Sequence, residues 1–523
     1  MQVNTISRKL PLSLNPYQVY AALTDKGRVE HTALLETAEA GTHEHRRSVT
    51  MLSAALQIRA LDQKVTLKAL NHNGHEILAS IKSSEEIANQ FELRYEGGDL
   101  VHLICPEAVE VNNEQERLFE VTTISALQLI RDLLKVGQVS DDETSLLIGA
   151  FSYELVEQFE DLPDVEKFQE DYCFYVADQI IVQNQDGQNA KIVVKGFGEN
   201  AENTVRLGVE LEATYSTLKE ASVSEVLDFS PQQENAELSL NLSDKDYYGF
   251  VEAAKERIKQ GDIFQVVLSR KFGISCPNPF QAYGKLRQSN PSPYMYFVNF
   301  GDKQLFGASP ESALKVNKQR EVFLYPIAGT RKRAIDKNTG QINHEHDSRV
   351  EFELVEDAKE NAEHMMLVDL ARNDLAKVVQ SGTREIIQLK KVIKYSHVQH
   401  MVSEIKGVLK PEIDSLVAYR ACANMGTLTG APKIKAMEII RQQEKLARGF
   451  YGGAICMMNA NDEFDSAIII RSAVVSDGQA MISAGAGIVH DSEPKAEALE
   501  TVNKAKAVID ACRQQLPQSE VLA

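Results

Sequence analysis

Residues 467–489 read "AIIIRSAVV SDGQ AMISAGAGIV", two apolar runs hinged on Ser476-Asp477-Gly478-Gln479. An Asp-Gly pair accepts the two positive φ angles of a tight hairpin turn, so the runs on either side are committed to pairing antiparallel. Parallel neighbours would need a helical crossover between them. Strand signals recur at "QKVTLKAL" (63–70), "AKIVVKGF" (190–197) and "FQVVLSRKFGI" (264–274), without a helix regularly between consecutive strands. That pattern excludes a doubly wound fold and predicts the α+β class, with large, mostly antiparallel sheets packed against helices.

Helices punctuate the strands. Residues 199–221 read as a polar helix. Ser243 with Asp246 three residues on forms a start signal for "YYGFVEAAKERIKQ", and Gly261 ends it. The segment "EPKAEALETVNKAKAVIDACRQQL" places Leu499, Val502, Val508, Ile509 and Cys512 at helical spacing. Residues 222–241 are polar and irregular and read as a linker. The division expected is an N-terminal domain over 1–235 and a catalytic domain over 236–523, with the possibility of shared sheets.

Net charge is −19, which sets the chain against phosphate backbones and anionic membranes as partners. A chain this acidic that binds a small anion must gather its Arg and Lys locally or recruit a cation. The apolar runs stay well short of the roughly 20 residues that span a bilayer. The first twenty residues lack the apolar core of a secretory signal. Six scattered cysteines without a C-x-x-C suggest reduced core thiols, and a cytoplasmic location is expected.

Acidic pairs are the first chemical signal. Glu360 and Glu363, and separately Glu497 and Glu500, stand three residues apart on helices, so each pair shares a face. Such pairs are commonly solvated; two of them facing each other would hold a hard divalent cation. The apolar "HMMLVDLA" after Glu363 puts that carboxylate at the edge of a buried face, where it needs a cation or hydrogen-bond donors. "SAGAGIV" (483–489) allows close backbone approach through Gly485 and Gly487, either to a carboxylate or to a neighbouring element. Arg471, set inside the apolar "AIIIRSA", requires an anionic partner. Lys504 lies four residues after Glu500 and reads as a helix ion pair or as a second anion contact. His400 shares a strand face with Val398 and Val402, as a core histidine or a base. Glu311, after a Ser-Pro turn, would be held protonated by burial and so suit a general acid.

Ten runs then appear in order between about residues 245 and 510: "GDIFQVVLSR", "NPSPYMYF", "FGASPESAL", "YPIAGTR", "DSRVEFELVEDAKENAEHMMLVDLARNDL", "VQHMVSEIKG", "MGTLTGAPKIKAMEII", "RGFYGGAI", "IIIRSA" and "SAGAGIV". Together they resemble the chorismate-utilising enzyme family. The resemblance implies a Mg²⁺-dependent site with Glu363 and Glu500 as ligands. It implies chorismate contacts from Gly329, Thr330, Tyr451, Arg471, Gly485, Ala486, Gly487 and Lys504, and puts His400, Thr427 and Glu311 at the reacting ring. "HTALLETAEA" is similar to an element that holds feedback tryptophan in the family, which carries Thr37, Pro293, Tyr294 and Met295 over as an L-tryptophan pocket. Thr37 stands where Ser is usual, and Ala467 where some relatives have Cys.

The implied reaction joins ammonia to chorismate and releases pyruvate. No Gly-x-Cys-x-Gly nucleophile motif of a glutaminase is present, so ammonia is expected from a separate glutamine amidotransferase subunit, in a heterotetramer with two of each. In "YPIAGTRKR" (325–333), Ala328 stands where aminodeoxychorismate-forming relatives carry a nucleophilic Lys. Gln265 stands where water-using relatives carry a Lys base. Neither replacement can supply or activate its own nucleophile, which leaves free ammonia. The rival readings are an aminodeoxyisochorismate or aminodeoxychorismate synthase component, an isochorismate or salicylate synthase, and a non-catalytic tryptophan-binding regulator. The occupied site positions argue against the last.

Overall fold

The computed structural model describes residues 1–10, 15–38, 45–106, 113–135, 144–184, 190–198, 202–220, 237–336, 341–395 and 398–513. Every ladder between its strands is antiparallel, and the strands form one hydrogen-bonded network with two arms. The arms share the long pair His45–Leu61 and Tyr172–Asn184, whose register slips between Met51 and Leu56. Such bulges bend a strand pair, and this bend lets one ladder feed two sheets.

The first arm runs from His45–Leu61 through Thr32–Ala38, Tyr294–Asn299, Gln304–Ser309, Ser472–Ser476 and Gln479–Ile488 to Gln265–Ser275. The second runs from Tyr172–Asn184 through Leu146–Phe151, Ala454–Asn459, Phe464–Ile468, Ser312–Val316 and Glu321–Leu324 to Val398–Val408. The last strand also pairs with Ile327–Lys332 and Glu385–Lys394. Within each arm two strands from before residue 235 are therefore continued by strands from after it, joined at Thr32–Ala38/Tyr294–Asn299 in the first and Leu146–Phe151/Ala454–Asn459 in the second. Residues 222–236 of the expected linker lie outside the described residues.

The hairpin over residues 472–488 forms as expected, with Asp477 at φ 49° and Gly478 at φ 70°. The run "AIIIRSAVV" is not one strand, however. Phe464–Ile468 belongs to the second arm and Ser472–Ser476 to the first, and the chain changes sheet over residues 469–471. Arg471 sits in this crossing at φ 51°, not inside a strand. The change of sheet lets the charged side chain leave the apolar surface that flanks it. A second crossing lies between Gln304–Ser309 and Ser312–Val316, and Glu311 occupies it. The second crossing meets the strand that leads into the first, since the Ile468 amide donates to the Glu311 carbonyl at 3.0 Å.

Helices close the outer faces. Ala358–Val378 is capped by Asp357, whose side chain accepts from the amides of Lys359 and Glu360. Its buried residues His364, Leu367, Val368, Ala371, Leu375 and Val378 recur at three and four, the stripe expected of a helix packed on one side. The C-terminal Pro494–Arg513 helix buries Ala498, Thr501, Ala505, Val508, Ile509 and Cys512. Leu499, expected on that face, is 58% exposed. Small Ala and Thr side chains let the helix lie close on the sheet and turn Leu499 outward. All six cysteines are buried free thiols. Among the described residues no helix is long and apolar enough to cross a membrane.

Candidate active site

The site forms where the crossings meet the ends of three strands and two helices. Glu311 is 7% exposed, and the Thr427 hydroxyl donates to its Oε1 at 2.9 Å. Burial pushes its pKa up to about 8, outweighing the Thr427 bond and the nearby Lys504 charge. The carboxyl therefore carries its proton at neutral pH.

His400 faces Thr330 across the Ile327–Lys332/Val398–Val408 ladder, with Nδ1 2.8 Å from the Thr330 hydroxyl. The ladder bulges between Ala328 and Thr330, and Gly329 takes φ 80° there. A Cβ on Gly329 would come within 3.0 Å of Leu354 and 3.1 Å of Glu360, so the turn needs its glycine for both conformation and space. Burial pushes the His400 pKa down to about 4, helped by the positive charges of Arg471 and Lys504. The imidazole is neutral at pH 7. One site thus holds a protonated acid and an unprotonated base, each displaced from its ordinary range by its surroundings.

Cationic and backbone groups converge beside them. Arg471 projects from its crossing next to Tyr451, and among the described residues no carboxylate pairs with it. Burial lowers its pKa, opposed by Tyr451 and Glu500. A guanidinium in that setting is prepared for an incoming carboxylate. Lys504 Nζ bonds Glu500 at 2.7 Å, the helix ion pair, and also reaches the Gly485 carbonyl at 2.9 Å, which ties it to the glycine strand. A Cβ on Gly485 would stand 2.8 Å from the Leu268 carbonyl and 2.9 Å from the Tyr451 hydroxyl. One on Gly487 would stand 2.5 Å from Gln265 Nε2 and 3.7 Å from Glu363 Oε1. Both glycines thus face the pocket, whereas the side chain of Ala486, between them, packs into the core on the far side. Ala486 can offer only its main chain.

The acidic pairs separate on inspection. Glu360 is bound by Arg331 at 2.7 Å, and Glu497 is bonded by Ser492. Glu363 receives one hydrogen bond, from Gln265 at 2.8 Å. Its pKa is raised by burial and by the like charges of Glu360 and Glu500. Among the described residues no group of three or more His, Cys, Asp or Glu converges to cage a metal. Glu363 and Glu500 nevertheless act on one another, with Lys359 opposing the shift that burial and the like charges impose on Glu363. This oxygen-only pair fits a hard divalent ion that fills its other positions with water or substrate.

The residues expected to hold tryptophan also meet. Thr37 faces Tyr294, and Glu36 faces Met295, across a ladder that lines a cavity shared with Ala467. Pro293 lies in the cleft that continues from it. The sequence reading missed the polar residues Glu36, Arg47, Asp465 and Ser466 of this cavity, Asp465 accepting from the Tyr294 hydroxyl at 3.0 Å. It also missed Tyr395, whose ring meets His400 edge-on at 5.3 Å, and Arg331. None carries a local signal, because each is brought in by strand pairing.

Comparison with known proteins adds a family to this geometry. Residues 88–510 match the model of the chorismate binding enzyme family. The chain is 41% identical over 490 residues to the anthranilate synthase component 1 of Escherichia coli (strain K12), covering 92% of this chain and 91% of the relative. It is 39% identical over 516 residues to that of Vibrio parahaemolyticus, covering 98% and 93%. Among solved structures it resembles anthranilate synthase component I from Streptococcus pneumoniae TIGR4, with a TM-score of 0.69 and 28% identity, covering 88% of this chain and 92% of that one. The menaquinone-specific isochorismate synthase of Escherichia coli shares the fold at a TM-score of 0.67 and 16% identity, covering 98% and 95%.

Proposed function

The chain belongs to the chorismate binding enzyme family, and within it we propose that it acts as component 1 of an anthranilate synthase, an oxo-acid lyase that opens tryptophan biosynthesis. It converts chorismate and ammonia to anthranilate, pyruvate and water through an aminodeoxyisochorismate intermediate. The observation that carries this reading is the placing of two buried groups suited to acid and base roles, the Thr427-bonded Glu311 carboxyl and the Thr330-bonded His400, both under the influence of Lys504.

Arg471, Tyr451 and the main chain at Gly485–Gly487 bind the enolpyruvyl carboxylate and fix the ring's orientation, while Gly329 and Thr330 close on its other side. Ammonia forms a bond to ring carbon 2 as the 4-hydroxyl departs. Glu311, held by Thr427, gives that hydroxyl its proton and it leaves as water. His400 then takes the proton from ring carbon 2, the bond from carbon 3 to the enolpyruvyl oxygen breaks, and the ring becomes aromatic. The departing enolpyruvate takes up a proton and becomes pyruvate. Glu363 and Glu500 would hold Mg²⁺, which when bound offsets negative charge on the ring carboxylate. Ala328 is buried opposite Met401 and presents no amine, and Gln265 is engaged by Glu363. Ammonia is the nucleophile that remains.

A component 1 implies a partner component. Here that partner is a glutamine amidotransferase subunit supplying ammonia, in a heterotetramer with two of each, in the cytoplasm. L-Tryptophan inhibits by binding at Thr37, Pro293, Tyr294 and Met295. The full chain with chorismate, Mg²⁺ and ammonium should develop anthranilate fluorescence. An aminated, non-aromatic product without fluorescence would overturn the reading in favour of a synthase lacking the lyase step.

A further inference from the structure

Behind the pocket lies a buried guanidinium with no part in the chemistry above. Arg448 is 4% exposed and lies four residues beyond Glu444, the last residue of the Lys433–Glu444 helix. Its Nε donates to Glu444 Oε2 at 2.9 Å and its Nη2 to Oε1 at 2.6 Å, a bidentate pair. Nη1 donates to the Leu428 carbonyl at 2.7 Å, and Nη2 to the Val267 carbonyl at 2.7 Å. Glu444 Oε1 in turn accepts from the Ser269 amide at 2.7 Å and the Ser269 hydroxyl at 2.9 Å. The main chain is held as firmly, since Glu154 accepts from the amides of Arg448 and Gly449 at 2.7 and 2.8 Å.

Each anchored segment leads to one part of the site. Val267 and Ser269 are the ladder partners of Gly487 and Gly485, the two glycines that face the pocket. Leu428 follows Thr427, which bonds the Glu311 carboxyl. Arg448 opens the turn that presents Tyr451, and its guanidinium carbon is 5.7 Å from the centre of that ring. Buried ion pairs contribute little net stability compared with well-packed apolar residues. What the Arg fork supplies, and a hydrocarbon cannot, is fixed direction to several acceptors at once.

We infer that Arg448, locked by Glu444, is a positioning residue that sets the distance between the Glu311–Thr427 acid and the Tyr451–Gly485 carboxylate cradle. The inference rests on the anthranilate-forming reading, and wild-type turnover tests that reading separately. If the wild-type chain makes no anthranilate from chorismate, Mg²⁺ and ammonium, the reading fails before any variant is compared.

Given wild-type activity, Arg448→Lys keeps the charge and loses the fork. Misplacement of reacting groups by about 1 Å costs on the order of 100-fold. The expected result is kcat lowered roughly 10- to 100-fold with KM for chorismate changed less than about threefold. The alkaline limb of the pH profile, which reports Glu311, should also move. Glu444→Gln preserves shape and an acceptor for Ser269 and should shift kcat and the same limb in the same direction, by less. If Arg448→Lys does not fold, as judged by a cooperative melt, Glu444→Gln decides alone. Folded variants with wild-type kcat and pH profile would overturn the inference. So would activity falling only in proportion to the folded fraction, with kcat per folded molecule and the pH profile unchanged.

Discussion

The Thr330 hydroxyl and Nδ1 of His400 meet at 2.8 Å across a ladder in which the two residues are direct partners. The hydrogen bond fixes the ring's rotation and leaves Nε2 as its second nitrogen. His400→Ala should therefore spare chorismate affinity and cripple pyruvate release, by about 10²- to 10⁴-fold as for other lost proton-transfer groups. The aminated intermediate should accumulate and be detectable by chromatography. Equal losses of affinity and turnover would mark the histidine as structural.

Protonation sets a pH window. His400 must be neutral and Glu311 protonated, so activity should hold between about pH 4 and about pH 8 and fall on either side. Glu311→Gln should abolish the alkaline limb and lower kcat. Stability is linked to the same groups. The Glu311 pKa is raised on folding, so its contribution is full below the unfolded value of 4.5 and is lost as pH rises toward 8. The His400 pKa is lowered from 6.5, so its contribution is present above 6.5 and is lost as pH falls toward 4. A chemical-denaturation series across pH checks both signs, and removing either side chain should flatten its own arm.

Gly485→Ala introduces a Cβ 2.8 Å from the Leu268 carbonyl and 2.9 Å from the Tyr451 hydroxyl, neither with room to retreat. Overpacking of this kind costs about 1–3 kcal/mol. Expressed in the substrate cradle, that is a loss of roughly 10- to 100-fold in kcat/KM. Gly487→Ala meets only the end of the Gln265 side chain, which can swing away. It should cost less, and its effect should track loss of the Gln265–Glu363 bond, seen as altered metal dependence.

Arg471→Gln removes a cation that no carboxylate pairs with among the described residues. A hydrogen bond to a charged group is worth about 1.5–3 kcal/mol, so KM for chorismate should rise roughly 10- to 150-fold with a smaller change in kcat. Isothermal titration with chorismate would check the affinity directly.

Ala328→Lys places an amine beside the Gly329 bulge. Anthranilate formation should fall or divert to a covalent adduct visible by mass spectrometry of the intact chain. Undiminished anthranilate formation would place residue 328 away from the ring.

Much of this was legible along the chain. The Asp477-Gly478 turn, the strands around it and the helix carrying Glu500 and Lys504 follow local rules of turn, period and cap. Burial of Glu311 could be read from the apolar run that follows it. The path of residues 464–476 could not, because two apolar strands in different sheets look like one long strand until their partners are known. Arg471 lost its expected place for that reason, and Leu499 its buried face, since helix rotation depends on what lies beneath. Arg331, Arg47 and Asp465 gain their roles only from neighbours distant in sequence.

The pairing of early strands with late ones across residue 235 sets a timetable for synthesis. Thr32–Ala38 has Tyr294–Asn299 as its outer neighbour, and Leu146–Phe151 has Ala454–Asn459. At about 5–20 residues per second on the ribosome, the first of these edges waits roughly ten to fifty seconds for its partner to emerge. Through that interval apolar strand edges stand open, the condition under which nascent chains pair wrongly or aggregate. A fragment ending near residue 235 would hold those edges open permanently, so it is a poor unit to express alone, and the nascent chain is a natural client for a chaperone.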